Sequence, residues 1–221
     1  MLLCIFLLLG TWGGVLGNGD ICQQSRHQAC PIPYDWSFPK TEEDLNKICP
    51  KFIQIAECKK DYLKKCDPED VSWQNYLQNL KDVAEDACAE NSELHLRIVQ
   101  NIGCFNEVAQ QDIQICHNDI DKKTEEMLKY IREIETEEGT NDELWEAFQC
   151  LLASLEIQCY ASKSSERCGY DAGDLVLELS RSTGFRFRCS VASEEILSKL
   201  LALLELELEE EASLNRIMAS E

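Results

Sequence analysis

The stretch ICPKFIQIAECKKDYLKKCDPEDV, residues 48–71, places three cysteines at intervals of nine and eight residues, and Cys88 follows after 22 more. The stretch FQCLLASLEIQCYASKSSERC, residues 148–168, repeats the arrangement with intervals of nine and nine, and Cys189 follows after 21. Both sets of four cysteines span 39 residues, and their first members lie 101 residues apart. Self-similarity at a fixed spacing is typical of a duplicated unit. The spacing therefore predicts two similar four-cysteine modules.

The sequence around these cysteines has the periodicity of amphipathic helices. After DPED, residues 67–70, which we interpret as a helix start capped by Asp67, apolar residues recur about every 3.6 positions. TEED, residues 41–44, resembles a capping box, and Pro50 is expected to end or kink the helix that it starts. Strand-like alternation is confined to FRFR, residues 185–188. The predicted fold is all-α, a disulfide-stapled helical bundle.

Further helices are predicted beyond the first module. One periodic run extends from residue 105 to residue 135 and is interpreted as a single long helix. The next helix is predicted to be capped at residues 141–143 and to run through residue 157. Two more are predicted over residues 171–182 and 193–218.

The helical prediction constrains the disulfides. Residues nine apart on one helix are separated by about 13.5 Å along its axis and by roughly 180° around it. Bonded cysteines need Cα atoms within about 7 Å, so Cys49 cannot bond Cys58, nor Cys150 bond Cys159, on an unbroken helix. Each helix is therefore expected to be stapled to two neighbours. The sequence does not assign partners. Our hypothesis is that each set of four closes on itself and that the remaining four pair separately: Cys22, Cys30, Cys104 and Cys116.

Residues 1–17, MLLCIFLLLGTWGGVLG, have the pattern of a secretory signal peptide. The uninterrupted apolar run Leu2–Leu9 is too short to span a bilayer at about 1.5 Å per residue, and compact residues precede an expected cut before Asn18. The alternative is an N-terminal core strand or helix. Cleavage would remove Cys4 from the 13 cysteines and leave an even number for an oxidising compartment. Six disulfides are predicted, from Cys22, Cys30, Cys49, Cys58, Cys66, Cys88, Cys104, Cys116, Cys150, Cys159, Cys168 and Cys189.

Charge and composition exclude several classes of protein. The 41 acidic residues outnumber the 21 basic ones and give a net charge of −20, which opposes binding to nucleic acid or to an anionic membrane. No later stretch has 18 consecutive apolar residues, so no membrane insertion is expected. No C-x-x-C occurs, and His27, His95 and His117 do not have zinc-finger spacing, so no metal or cofactor is predicted.

The sequence contains no recognisable catalytic motif, and the chain is predicted not to be an enzyme. Cys116 and His117 are adjacent, but neighbours on a helix point about 100° apart and do not form a thiolate–imidazole pair. His95 is expected in a polar, exposed turn. The run Asn118–Asp121 hints at a calcium loop, but Lys123 occupies the glycine position of an EF-hand, so a solvated helix face is the better interpretation.

The C-terminal stretch 193–221 combines leucines at helical spacing with five acids between residues 205 and 211. A helix packed on the core is favoured, and the alternative is a helix presented to a partner or to a second copy of the chain. The predicted organisation is a signal peptide (1–17), an extended segment with Cys22 and Cys30 (18–40), a first helical module (41–138), a second helical module (139–192) and a Leu/Glu-rich helix (193–221).

The cysteine-bearing stretches 48–71 and 148–168, with GCFNEVAQQDIQIC at 103–116, resemble the 27 kDa hemolymph glycoproteins, a family of secreted arthropod proteins. That family shows C-x8-C-x7-C followed by a helix and a closing cysteine, with a central pair near C-F. The resemblance covers about two-thirds of the chain and implies a helical, disulfide-rich, extracellular protein with no activity to transfer. No Asn-x-Ser/Thr sequon follows residue 17, so N-glycosylation is not expected here.

The function predicted from these features is that of a secreted, non-enzymatic, hemolymph-type protein. It would act by binding a small apolar ligand or an extracellular protein partner, and the C-terminal helix is a possible homo-oligomer contact. One alternative is a component of venom or saliva, toxin-like or inhibitory. Another is a structural component of an extracellular fibre or matrix.

Overall fold

A computed structural model describes residues 21–32, 38–138, 142–184, 189, 194–204, 206 and 208–218. The predicted signal peptide with its cut before Asn18, and the FRFR segment, lie outside the described residues. The protein is all-α, with no strand in the described part. A 3-10 turn at Ile21–Gln23 precedes the helices. These are α1 (Arg26–Ala29), α2 (Glu42–Cys66), α3 (Val71–Cys88), α4 (Glu93–Gln111), α5 (Ile113–Glu138), α6 (Asp142–Cys168), α7 (Tyr170–Ser182), α8 (Glu194–Ala202) and α9 (Leu208–Met218).

The chain forms two compact units. The first comprises Met1–Ala109 with Glu178–Gly184, and the second comprises Gln110–Leu177 with Phe185–Glu221. In the first unit, α2 and α3 pack along each other and α1 packs on α2. The core contains one apolar stripe from each of α2, α3 and α4: Leu45, Phe52, Ile55, Leu63, Leu77, Leu80, Ile98, Ile102 and Phe105.

The start of α2 is as predicted, since the Thr41 hydroxyl accepts a hydrogen bond from the Asp44 N–H at 3.1 Å. Two details were wrong. Asp67 does not cap α3: its N–H bonds the Leu63 carbonyl and closes α2, while the Asp70 carboxylate accepts from the Trp73 N–H at 3.0 Å. Pro50 does not end α2, which continues to Cys66: the proline lacks the N–H that would bond the Asn46 carbonyl, and the buried residues on both sides of it, from Leu45 to Leu63, hold the helix in the core.

In the second unit, α6 packs against α5, α8 and α9. That central position explains why its buried residues surround the helix instead of forming one stripe: Leu144, Phe148, Leu151, Leu155, Ile157, Tyr160 and Ala161. The single helix predicted over residues 105–135 is two helices, α4 and α5, which meet at Asp112. The Asp112 carbonyl accepts the first hydrogen bond of α5, from the Cys116 N–H.

The C-terminal stretch also forms two helices where one was predicted, since α8 ends at Ala202 and α9 begins at Leu208. Both pack on α6. Leu200 of α8, Leu204 after it, and Leu214 and Ile217 of α9 are buried in the second unit, while Ile196, Leu197, Leu201 and Leu203 are half-buried. The chain's own core therefore covers part of the leucine stripe, and a homo-oligomer formed through this stretch remains a prediction.

All twelve predicted cysteines are disulfide-bonded, as expected. Five of the pairs are Cys22–Cys66, Cys30–Cys58, Cys49–Cys88, Cys116–Cys159 and Cys150–Cys189, with Cα atoms 5.0–5.9 Å apart. The first and last cysteines of each set of four bond each other, but the hypothesis that each set closes on itself was wrong for Cys58, Cys66 and Cys159. These inner cysteines bond cysteines that precede their set.

The reason lies in the helical hairpin of the first module. Cys49 lies 17 residues before the end of α2, and Cys88 lies 17 residues after the start of α3, so the two meet when α3 folds back along α2. Cys58 lies half a helical turn out of phase with Cys49. It therefore reaches the opposite side of α2, where the segment before α2 supplies Cys30.

The repeat extends to the helices themselves. The helices α2, α3 and α4 start at residues 42, 71 and 93, and α6, α7 and α8 start at 142, 170 and 194. The offsets of 100, 99 and 101 residues agree with the 101-residue offset of the cysteines to within two residues. Each module is thus three successive helices, with a disulfide of 39-residue separation at Cys49–Cys88 and again at Cys150–Cys189.

Candidate functional site

The second unit contains an open groove with a cavity volume of about 450 Å³. Its walls come from α5, α6, α7 and α9. The volume falls within the range of roughly 300–1,000 Å³ that small-molecule sites occupy. We define the groove by its floor and rim residues: Asp119, Ile120, Lys123, Leu155, Gln158, Cys159, Ala161, Ser162, Lys163, Ser165, Gly173, Asp174, Leu177, Glu210 and Ser213.

Small side chains on α6 open the groove. Ala161, Ser162 and Ser165 belong to the run ASKSS at residues 161–165. The positions 101 residues earlier, in the first module, carry the longer side chains Lys60, Asp61 and Lys64. Lys60 is half-buried and donates to Gln78 Oε1 on α3 at 2.6 Å, whereas Asp61 and Lys64 are exposed, so the contrast between the modules is clearest at Ala161 and Lys60.

Gly173 allows α7 to approach α6 closely beside this groove. A Cβ atom added at Gly173 would lie 1.8 Å from the Ser165 Oγ and 2.7 Å from the Ala161 carbonyl oxygen. The serine side chain could rotate away, but the carbonyl belongs to the backbone of α6. Only glycine fits this crossing without moving a helix.

The floor of the groove is aliphatic. Ile120 from α5 and Leu155 from α6 are each 3% exposed, and Leu177 from α7 is half-buried. Ile120 and Leu155 lie in the core of the second unit, which fixes their positions. Leu177 therefore provides most of the aliphatic surface that a ligand can contact, with Ile120 and Leu155 fixed beneath it.

The Lys123 ammonium on the rim is held by two carboxylates. Its Nζ lies 2.8 Å from Glu210 Oε1 and 3.1 Å from Asp119 Oδ2. Burial alone would lower the pKa of Lys123, but the hydrogen bonds to Glu210 and Asp119 outweigh it and raise that pKa. Gln158 Nε2 donates to the Glu210 backbone carbonyl at 2.9 Å and fixes α9 against α6.

The other lysine of the rim is also paired. Lys163 Nζ lies 2.7 Å from Glu166 Oε2, and this hydrogen bond is the main cause of the lowered pKa of Glu166. Asp174, on α7, differs from every other charged group of the rim. It is exposed and makes no hydrogen bond or ion pair with any residue that the structure describes.

The histidines and the cysteine considered from the sequence do not form a reactive site. The expectation of an exposed His95 was wrong: its side chain is fully buried in α4, with Nδ1 2.9 Å from the Ala87 carbonyl and Nε2 3.3 Å from Glu42 Oε1. The Ser92 hydroxyl accepts from the His95 N–H, so the helix starts earlier than the polar residues indicated. His117 Nε2 lies 3.0 Å from the Tyr160 hydroxyl, and Cys116 is oxidised.

The run Asn118–Asp121 lies within α5 and not in a loop. Among the described residues, no group of three or more His, Cys, Asp or Glu side chains is placed to hold a metal ion. Asp119 of this run instead pairs with Lys123, one helical turn further on. The solvated helix face was therefore the better interpretation of this stretch.

A buried lysine, Lys59, lies in the first unit. Lys59 is only 3% exposed, and burial, followed by the positive charge of Arg26, lowers its pKa from the ordinary value of 10.5 to about 8. The Arg26 guanidinium in turn lies 4.5 Å from the centre of the Trp73 ring. Sequence reasoning missed Lys59 because α2 carries many lysines that face solvent.

Lys59 makes the stability of the protein depend on pH. Because its pKa is lower in the folded state, the unfolded chain binds more protons between about pH 8 and pH 10.5, and stability rises with pH over that window. We expect a gain of about 2–3 kcal/mol in unfolding free energy between pH 7 and pH 10, from a shift of roughly two units. Urea denaturation at both pH values measures it.

The variant Lys59→Met should lose most of this gain, and Lys64→Met, an exposed lysine on the same helix, should retain it. An equal pH dependence in the two variants would contradict the assignment to Lys59.

The groove offers hydrogen-bonding groups, paired charges and an aliphatic floor, an arrangement suited to holding a ligand. No helix in the described part of the chain is long and apolar enough to cross a membrane. Comparison with protein-family models, with curated proteins and with solved structures finds no match to this chain.

Proposed function

We propose that this chain is a secreted, non-enzymatic binding protein of an extracellular fluid, of the hemolymph type that its cysteine pattern resembles, and that the groove is its ligand site. The bonded state of twelve cysteines supports an oxidising compartment. The observation that carries the proposal is the groove itself, a ligand-sized volume with an aliphatic floor and a polar rim.

The disulfides suit this role because they hold the walls of the groove in place. Cys159 is among the residues that line the groove, and its bond to Cys116 ties α6 to α5. A site whose walls are fixed before binding loses less conformational entropy when the ligand enters. A stapled scaffold with an open groove therefore favours binding of a small molecule.

Filling the groove should abolish ligand binding without unfolding the protein. In Ser162→Trp, an indole replaces a small exposed side chain on the rim. We expect native mass spectrometry of wild-type protein from a secreting host to show a small-molecule adduct, and the adduct to be lost in Ser162→Trp.

The matched control is Asp61→Trp, the exposed position 101 residues earlier on α2. This variant should keep the adduct and the far-UV circular dichroism of wild type. An adduct that survives in Ser162→Trp, or wild-type protein without any adduct, would count against the groove as the ligand site.

A further inference from the structure

We propose that the groove selects small organic cations, in which an ammonium group contacts Asp174 and an aliphatic chain covers the floor. This inference rests on the proposed function, since it names the ligand class of the same groove. It goes further by assigning specificity to one side chain.

The charges of the rim lead to this assignment. Lys123 is already satisfied by Asp119 and Glu210, and Lys163 is satisfied by Glu166. An anionic ligand would have to displace one of these carboxylates from its lysine. A cation needs no displacement, because Asp174 is the one carboxylate of the rim without a partner among the described residues.

Asp174 lies beside an aliphatic side chain of α7 that also lines the groove. Leu177 follows three residues later, and side chains three apart on a helix are neighbours, with Cβ atoms about 5–6 Å apart. A ligand whose charge lies at Asp174 can therefore lay its hydrocarbon part on Leu177 and on the adjoining floor. This pairing of a carboxylate with an aliphatic surface matches a protonated alkylamine.

Gly173, just before Asp174, faces α6 and lets α7 lie close against it, and Asp174 itself is an exposed residue of the groove rim, where its carboxylate attracts cations. The net charge of −20 acts in the same direction at longer range, since an acidic protein concentrates cations near its surface. Salt should weaken this long-range contribution.

The test uses three probes with the same hydrocarbon chain: hexylamine, hexanol and hexanoate. Binding is followed by NMR titration of the methyl groups of Ile120 and Leu177 in the full chain. We expect hexylamine to bind about three- to fivefold more tightly than hexanol, which corresponds to one ion pair at an exposed carboxylate, and hexanoate to bind most weakly.

Asp174→Asn should lower the affinity for hexylamine about three- to fivefold and leave that for hexanol within about 1.5-fold. Asp171→Asn, an exposed carboxylate of the same helix that does not line the groove, should bind all three probes as wild type does. Equal affinity for hexylamine and hexanol, or a loss of hexylamine binding that is the same in both variants, overturns the inference and leaves the proposed function standing. Failure of every probe to bind wild-type protein would contradict the proposed function as well.

Discussion

The double variant Cys150→Ala/Cys189→Ala should lose about 4 kcal/mol of unfolding free energy. The bridge closes a segment of 39 residues, and the chain-entropy model assigns roughly that amount to a loop of this length. Cys150 is also fully buried, so the shorter alanine side chain gives up packing inside α6. Guanidinium denaturation followed by far-UV circular dichroism measures the loss.

The first module contains the matched experiment. Cys49→Ala/Cys88→Ala opens a bridge of the same 39-residue separation at the corresponding place in the first module, and we expect a loss within about 1 kcal/mol of that in the second module. Ser162→Ala, an exposed change on α6, should stay within about 0.5 kcal/mol of wild type. A large loss in one module alone would mean that the two modules are not energetically equivalent.

The disulfides show which parts of the fold the sequence could predict and which it could not. Helical periodicity and the rule that residues nine apart cannot bond each other were enough for an all-α, stapled fold with a repeated module. The partners of Cys58 and Cys159 could not be predicted, because they depend on which segment covers the far side of α2 or α6. That is a property of tertiary packing, and the spacing of cysteines within a helix does not encode it.

The predicted helix boundaries were wrong for a related reason. Residues 105–135 keep their apolar period across Asp112, so the pattern gives no sign of the break there. The break is stabilised by a side chain from a distant part of the sequence, Arg167, which the period cannot register. His95 was misplaced in the same way: its polar neighbours suggested exposure, whereas the side chain is held by Ala87 and Glu42.

The groove could be predicted only in part from the sequence. The run of small residues at 161–165, compared with the longer side chains 101 positions earlier, could have indicated an opening on α6. The short-range pairs Lys123–Asp119 and Lys163–Glu166 follow from helical spacing. The pair between Lys123 and Glu210 joins residues 87 apart in sequence, so only the folded chain shows which carboxylates of the rim have a lysine partner. Asp174 could therefore not be singled out from the sequence.

Replacing Arg167 with leucine should cost about 2–3 kcal/mol of unfolding free energy. Arg167 donates from Nε to Asp112 Oδ2 at 2.9 Å and from a terminal nitrogen to Asp112 Oδ1 at 3.0 Å, a bidentate arrangement. The Asp112 side chain is only 8% exposed, so the variant leaves a buried carboxylate without its cation. Loss of one partner of a fully buried pair costs about 3–5 kcal/mol, and the 31% exposure of Arg167 reduces that figure.

A double-mutant cycle separates the ion pair from the packing of the arginine stem. Asp112→Asn keeps the shape of the residue that joins α4 to α5 and removes its charge, so we expect Asp112→Asn/Arg167→Leu to lose less than the sum of the two single variants. Lys199→Leu is the control, because it breaks an exposed pair with Glu195 and should cost no more than about 0.5 kcal/mol. Urea denaturation of the four variants measures each term. If Arg167→Leu cost no more than Lys199→Leu, the junction at Asp112 would be held by backbone hydrogen bonds and local packing instead of by this pair.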